Sequence, residues 1–165
     1  MGTVIRSTGV SSIRSGSAIE LAVNAAGNCI SGSGAGYEDI SLLINAGVYR
    51  DNNICEPSVA SLMQQKLRLN PEPVFGGEGI TFAFDQRDGA AGLISSCNTA
   101  DAWLAEGDGR YALVVASDSH PSAVTGTVSG FPFSAVGSAV LLEKSGAAGF
   151  GNFGHFSEGE GVEGV

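Results

Sequence analysis

The sequence predicts an α/β domain, a mixed sheet packed with helices. Strand-length apolar runs alternate with helical patterns three times, and two further strand patterns close the series. The resulting order, β-α-β-α-β-α-β-β, implies parallel strands joined by right-handed crossovers. A length of 165 residues with 43% hydrophobic and 15% charged side chains is that of one soluble globular domain. A chain of this size buries about 70% of its unfolded surface, so the core needs no disulfide or metal.

Val4–Val10 reads as the first strand, followed by Ser-rich turn material. Ser17 then caps a helix through Ala26, favoured by its Ala and Leu content. Ile40–Tyr49 is a nearly continuous apolar run, the pattern of a strand buried on both faces. Glu56-Pro57-Ser58 opens a helix over Val59–Leu69, with Pro57 near its first turn and Val59, Leu62, Met63 and Leu67 on one apolar face. A short strand, Thr81–Phe84, ends in Asp85, and the small residues Gly89-Ala90-Ala91-Gly92 lead into a helix over Leu93–Leu104 that can pack closely. Tyr111–Ser117 is another apolar strand, Ser134–Leu142 follows a Gly130-Phe131-Pro132 turn, and a last strand is expected over Ala148–Phe156. Gly151–Val165 holds five glycines and three glutamates with little apolar content. The fold is therefore assigned to residues 1–157 and a Gly/Glu-rich tail to 158–165.

Eight basic against seventeen acidic residues give a net charge of −9, which repels nucleic acid. There is no run of eighteen apolar residues and no basic-then-apolar leader, so neither a membrane span nor a secretion signal is expected, and the cytoplasm is the default. Cys29, Cys55 and Cys97 are odd in number and lack C-x-x-C spacing, so they read as free thiols. His120 and His155 are too far apart in sequence to suggest a metal cluster, and no metal or cofactor is expected.

Four stretches, in order, carry a resemblance. They are Leu43-Ile44-Asn45-Ala46-Gly47-Val48-Tyr49-Arg50-Asp51 with Glu56-Pro57-Ser58; Phe84-Asp85 with Gly89-Ala90-Ala91-Gly92; Arg110 to Asp118; and Gly130-Phe131-Pro132-Phe133 to Leu142. Together they resemble the N-terminal half of the thiolase-like fold, specifically beta-ketoacyl carrier-protein synthase III and related condensing enzymes of fatty acid or polyketide biosynthesis. The resemblance implies a chemistry and a set of site positions. The family forms an acyl thioester on a cysteine at the N-terminus of a buried helix, where the dipole and nearby donors favour thiolate. Its pattern places that cysteine at Ala90, or at Ala91 in a related version, with Cys55, Gly89 and Gly92 at the acyl pocket. Alanine offers no nucleophile, so the family route to an acyl-enzyme is closed as the chain stands. The chain is either a non-acylating relative or one whose cysteine was replaced. Cys97 lies about 10 Å further along the helix, too far to substitute.

By the same resemblance, the loop Asn53-Ile54-Cys55-Glu56-Pro57 corresponds to one that crosses a homodimer interface towards the partner's acyl pocket, where in related thiolases a glutamate resembles a general base. Glu56 has two readings, that base or an acidic residue suited to a helix first turn. Residues 15–41 contain no Trp, Arg or Lys, so the family's coenzyme A clamp is missing, and Trp103 reads as helix packing. The family's His and Asn lie in a C-terminal half. An N-terminal half alone would expose a large apolar face, so a second chain carrying the other half is expected, with two such heterodimers meeting through this half. Acyl-CoA or an acyl-carrier protein is the implied partner, the carrier's acidic surface being met by basic residues of the other half. The implied function is a condensing-enzyme subunit performing Claisen chemistry on acyl thioesters. The alternatives are a non-catalytic partner that shapes the pocket and dimer of an active ketosynthase, and plain binding of an apolar ligand.

Overall fold

The structure, a computed structural model, describes residues 2–13, 16–70, 79–120, 134–146 and 149–154. In chain order it contains β1 (Gly2–Val10), α1 (Ala18–Ser33), β2 (Ile40–Asn45), α2 (Val59–Leu67), β3 (Phe82–Asp85), α3 (Gly92–Glu106), β4 (Tyr111–Asp118) and β5 (Val136–Ser145). The strands form one sheet in the order β1-β5-β4-β2-β3. Pairs β4/β2 and β2/β3 are parallel, whereas β5 runs antiparallel to both β4 and β1. The expected mixed sheet and element order are both present.

Alternating side chains of the sheet feed two cores. Ile40, Leu43, Tyr111, Leu113, Val115, Ala139 and Leu141 pack with α1 and α2. Leu42, Ile44, Ala112, Val114 and Leu142 pack with Cys97, Ala100 and Leu104 of α3 on the other face. An irregularity between Ile40 and Leu42 in the β2/β4 register switches the alternation, which is why Ile40 and Leu43 share a face. Helix α1 lies very close to the sheet: a Cβ on Gly9 would fall 2.6 Å from the Cys29 nitrogen, and one on Gly137 would meet the Leu21 carbonyl.

Several boundaries differ from expectation, each for a local reason. Helix α1 continues to Ser33 and stops at Gly34 in the left-handed region (φ 76°), so Cys29 lies inside it rather than after it. The expected Ser17 cap is present: its Oγ accepts from Glu20 N–H at 3.1 Å, and Ser17 N–H donates to Glu20 Oε2 at 3.0 Å. Strand β2 stops at Asn45, not Tyr49, because the N–H groups of Val48 and Tyr49 donate to Asp118 Oδ1 (2.9 and 2.6 Å). Helix α2 ends at Leu67, since Arg68 is left-handed (φ 56°). Pro57 and Glu56 precede α2 rather than occupying its first turn: Ser58 is the cap, its Oγ accepting from Ser61 N–H at 3.2 Å. Residues 149–154 of the expected last strand form no strand; Phe150 N–H donates to Thr3 O at 2.9 Å, and Phe150 meets Phe153 edge-on beside the α3 core. The Gly130–Phe133 turn, His155 and the 157/158 boundary lie outside the described residues.

Candidate active site

The carboxyl ends of the parallel strands gather charged residues. Asn45, Asp85 and Ser117-Asp118 finish β2, β3 and β4, and Arg50-Asp51 follow just beyond β2. Open α/β sheets bind ligands at this edge. Here it is organised by three carboxylates that accept backbone N–H groups. Asp51 holds the start of α1 through Ala18 N–H (2.9 Å) and accepts from Ser119 Oγ (3.0 Å). Asp118 holds the turn after β2 through Val48 and Tyr49. Asp85 accepts four donors: Asn45 Nδ2 (3.0 Å), Arg50 Nη1 (3.2 Å), Val59 N–H (3.1 Å) and Ala60 N–H (2.8 Å). Val59 and Ala60 are the first residues of α2, so Asp85 neutralises orphan donors at the positive end of that helix. Arg50 is buried, and its Nη1 also donates to Ile54 O at 3.1 Å. Its Nη2 is buried without a partner among the described residues.

Asp85 ties this edge to both regions singled out from the sequence. It lies five residues before Ala90, and it fixes the helix that begins three residues after Glu56. The chain thus runs on from the end of β3 to Ala90, while the Asp85 carboxylate holds the start of α2. Cys55, Glu56 and Pro57 are exposed on the loop between Arg50 and Ser58. Asn52 and Asn53 of that loop are left-handed (φ 52° and 53°), a region in which asparagine is the best tolerated residue after glycine.

Ala90 and Ala91 sit at the mouth of α3, both exposed, following Gly89, whose φ of 48° suits glycine. Gly92 is buried; a Cβ there would stand 3.2 Å from Ala46 O, so its lack of a side chain lets the helix mouth approach the end of β2. Asp88 accepts from Ser95 Oγ and places a carboxylate at the positive end of α3. Cys97 and Cys29 are buried, and desolvation pushes both thiols up from their ordinary value. Cys55 is exposed. Trp103 stacks on Phe82 with ring centroids 5.5 Å apart, and the pair lies at the surface, 40% and 51% exposed. His120 is half-buried just past β4. Among the described residues no cluster has the ligands for a metal, and no helix is long and apolar enough to cross a membrane.

In the sequence Asp85 stands out only as the end of a strand, and nothing there gives Arg50, Asp51 or Asp118 a role at this edge. The available signal was a charged residue closing each apolar strand run.

No family model and no curated protein matches the sequence. Solved structures do. The chain is similar to 3-oxoacyl-[acyl-carrier-protein] synthase III from Aquifex aeolicus VF5, with 19% identity, a TM-score of 0.64, and 88% of this chain covering 55% of that one. It is also similar to a variant of OleA from Xanthomonas campestris solved with lauric acid and lauroyl-CoA, with 17% identity, a TM-score of 0.66, and 87% covering 57%. A third match is 3-oxoacyl-(acyl carrier protein) synthase III, FabH, from Pseudomonas aeruginosa PAO1, with 16% identity, a TM-score of 0.64, and 88% covering 52%. The likeness establishes a thiolase-like fold, and the chain spans about half the length of these structures.

Proposed function

We propose that the chain is a subunit, or N-terminal half, of a ketoacyl synthase III-like acyltransferase that condenses acyl thioesters, and that it does not itself carry the acyl group. The observation that carries the reading is alanine at both candidate nucleophile positions, Ala90 and Ala91, at the exposed mouth of α3 in a thiolase-like fold. The nucleophile is then supplied by a second polypeptide, and this chain contributes the wall formed by Cys55, Gly89 and Gly92 and the carboxylate of Glu56. Glu56, exposed on its loop, crosses to the partner's acyl pocket and takes a proton from the carbon beside a thioester carbonyl; the enolate carbon then attacks the carbonyl carbon of the second thioester, whose C–S bond breaks to release the thiolate. Leu93 and Ile94, 44% and 60% exposed on α3, support a cover supplied by the second half of the fold. That half comes from a second polypeptide, and two heterodimers meet through this one.

Intact mass spectrometry of the native assembly, before and after incubation with acyl-CoA or acyl-carrier thioesters, tests the reading. The expected result is a partner chain that gains the acyl mass while this chain does not; an adduct on this chain overturns it. Glu56→Ala in the assembly should abolish condensation and leave dimerisation intact, and unchanged turnover removes the base assignment. The same two alanines favour a second reading, a non-catalytic partner that shapes the acyl pocket and dimer of an active ketosynthase. An acylated partner together with full turnover of Glu56→Ala selects it.

A further inference from the structure

We propose that the buried Arg50–Asp85 pair is a positioning device that sets the loop bearing Cys55 and Glu56. The inference rests on the proposed function only for what Glu56 does, and its geometry is independent of that reading.

The two side chains are 6% and 10% exposed, and Arg50 Nη1 bridges Asp85 Oδ2 at 3.2 Å and Ile54 O at 3.1 Å. Ile54 lies two residues before Glu56. Arg50 Nη2 is buried with no partner among the described residues. An ion pair that carries an orphaned donor is a poor way to stabilise a core, because apolar side chains of similar volume fill such a space at no loss. Apolar packing cannot, however, tie three segments to one point by directional bonds. Asp85 and Arg50 do: the end of β2 through Asn45, the loop through Ile54, and the first turn of α2 through Val59 and Ala60 all converge on the end of β3. Between these tethers Asn52 and Asn53 both take positive φ, which asparagine adopts readily. Asp51 adds a second anchor on α1 and Ser119. The loop therefore leaves β2 and enters α2 at fixed points, with the Glu56 carboxylate presented between them. Arg50 touches no reacting atom in this scheme; it is a positioning residue.

The test compares Arg50→Met and Arg50→Lys with the parent protein, purified together with whatever chain accompanies it. The readouts are hydrogen exchange over residues 51–58, measured against α1 and β4, and the alkylation rate of Cys55 by iodoacetamide. Arg50→Met should speed exchange in 51–58 by about ten- to a hundredfold, the worth of a charge-assisted hydrogen bond. It should also alter the Cys55 rate, with α1 and β4 unchanged. Arg50→Lys, whose ammonium can stand in for Nη1, should restore most of the protection. Unchanged exchange in 51–58, or a rise spread equally over every element, overturns the inference. If Arg50→Met does not fold, Arg50→Gln, which keeps one amide donor, carries the same comparison. Glu56→Gln is measured alongside for condensation. Full turnover by Glu56→Gln with a loosened loop in Arg50→Met removes the base assignment and leaves the positioning role standing; an unmoved loop with turnover lost in Glu56→Gln does the reverse.

Discussion

Truncating Asp85 to alanine removes the acceptor of four hydrogen bonds and leaves Arg50, 5% exposed, as an uncompensated buried charge. Breaking a buried pair from one side costs about 3–5 kcal/mol. The two α2 donors add a capping loss of about 1 kcal/mol. These contributions share partners and overlap, so a total of about 4 kcal/mol is expected, a large share of the roughly 5–15 kcal/mol that holds a domain folded. With a urea slope of about 2 kcal/mol/M, the unfolding midpoint of Asp85→Ala should fall by about 2 M, read by far-UV circular dichroism. Adding Arg50→Met removes the stranded cation, so the double variant should recover roughly half of the loss, about 2 kcal/mol. A loss below about 1 kcal/mol for Asp85→Ala, or losses that simply add in the double variant, would refute the assignment of Asp85 as the hub of this edge.

Native-state labelling with a thiol reagent should modify Cys55 rapidly and leave Cys29 and Cys97 for the unfolded protein, a difference that peptide mapping resolves; prompt labelling of Cys97 would contradict its place in the α3 core. Burial raises both buried thiols above their ordinary pKa of 9.0, so their contribution to stability is complete below that pH and is lost as pH climbs through the raised folded values. Urea midpoints should therefore fall on the alkaline side, with a shallower fall in Cys97→Ala. Gly9→Ala drives a methyl group against the α1 backbone at Ala25 and Cys29 and should destabilise by about 1–3 kcal/mol, measured by urea unfolding; a neutral result would mean that α1 does not lie so close to β1.

The element order was legible because strands buried on both faces read as nearly unbroken apolar runs, as in Ile40–Ile44 and Tyr111–Val115. Boundaries were less legible wherever a side chain took over a backbone donor. The Asp118 carboxylate ends β2 from 69 to 70 residues away, and no local pattern around Tyr49 announces it. Helix α1 outran its expected end because a buried face at Cys29, Ile30 and Ser33 overrides the weak propensity of Gly27 and Gly32. Ala90, Ala91 and Glu56 could be singled out by their place in a family pattern. Arg50 and Asp85, 35 residues apart, become partners only when β2 and β3 pair, so neither marks the other in the sequence.

Among the described strands, β1 pairs only with β5, with Gly2 opposite Ser145 and Val10 opposite Ser138. During synthesis the first strand of this sheet thus waits for the last one described. Until Val136–Ser145 has been made, β1 has no neighbour among the described strands, and Gly9 and Gly137 cannot together seat α1. Closing so long a loop late turns the docking of an early strand into a slow, high-contact-order step. While the intervening elements are being made, the nine residues of β1 offer an unpaired edge to any other extended chain.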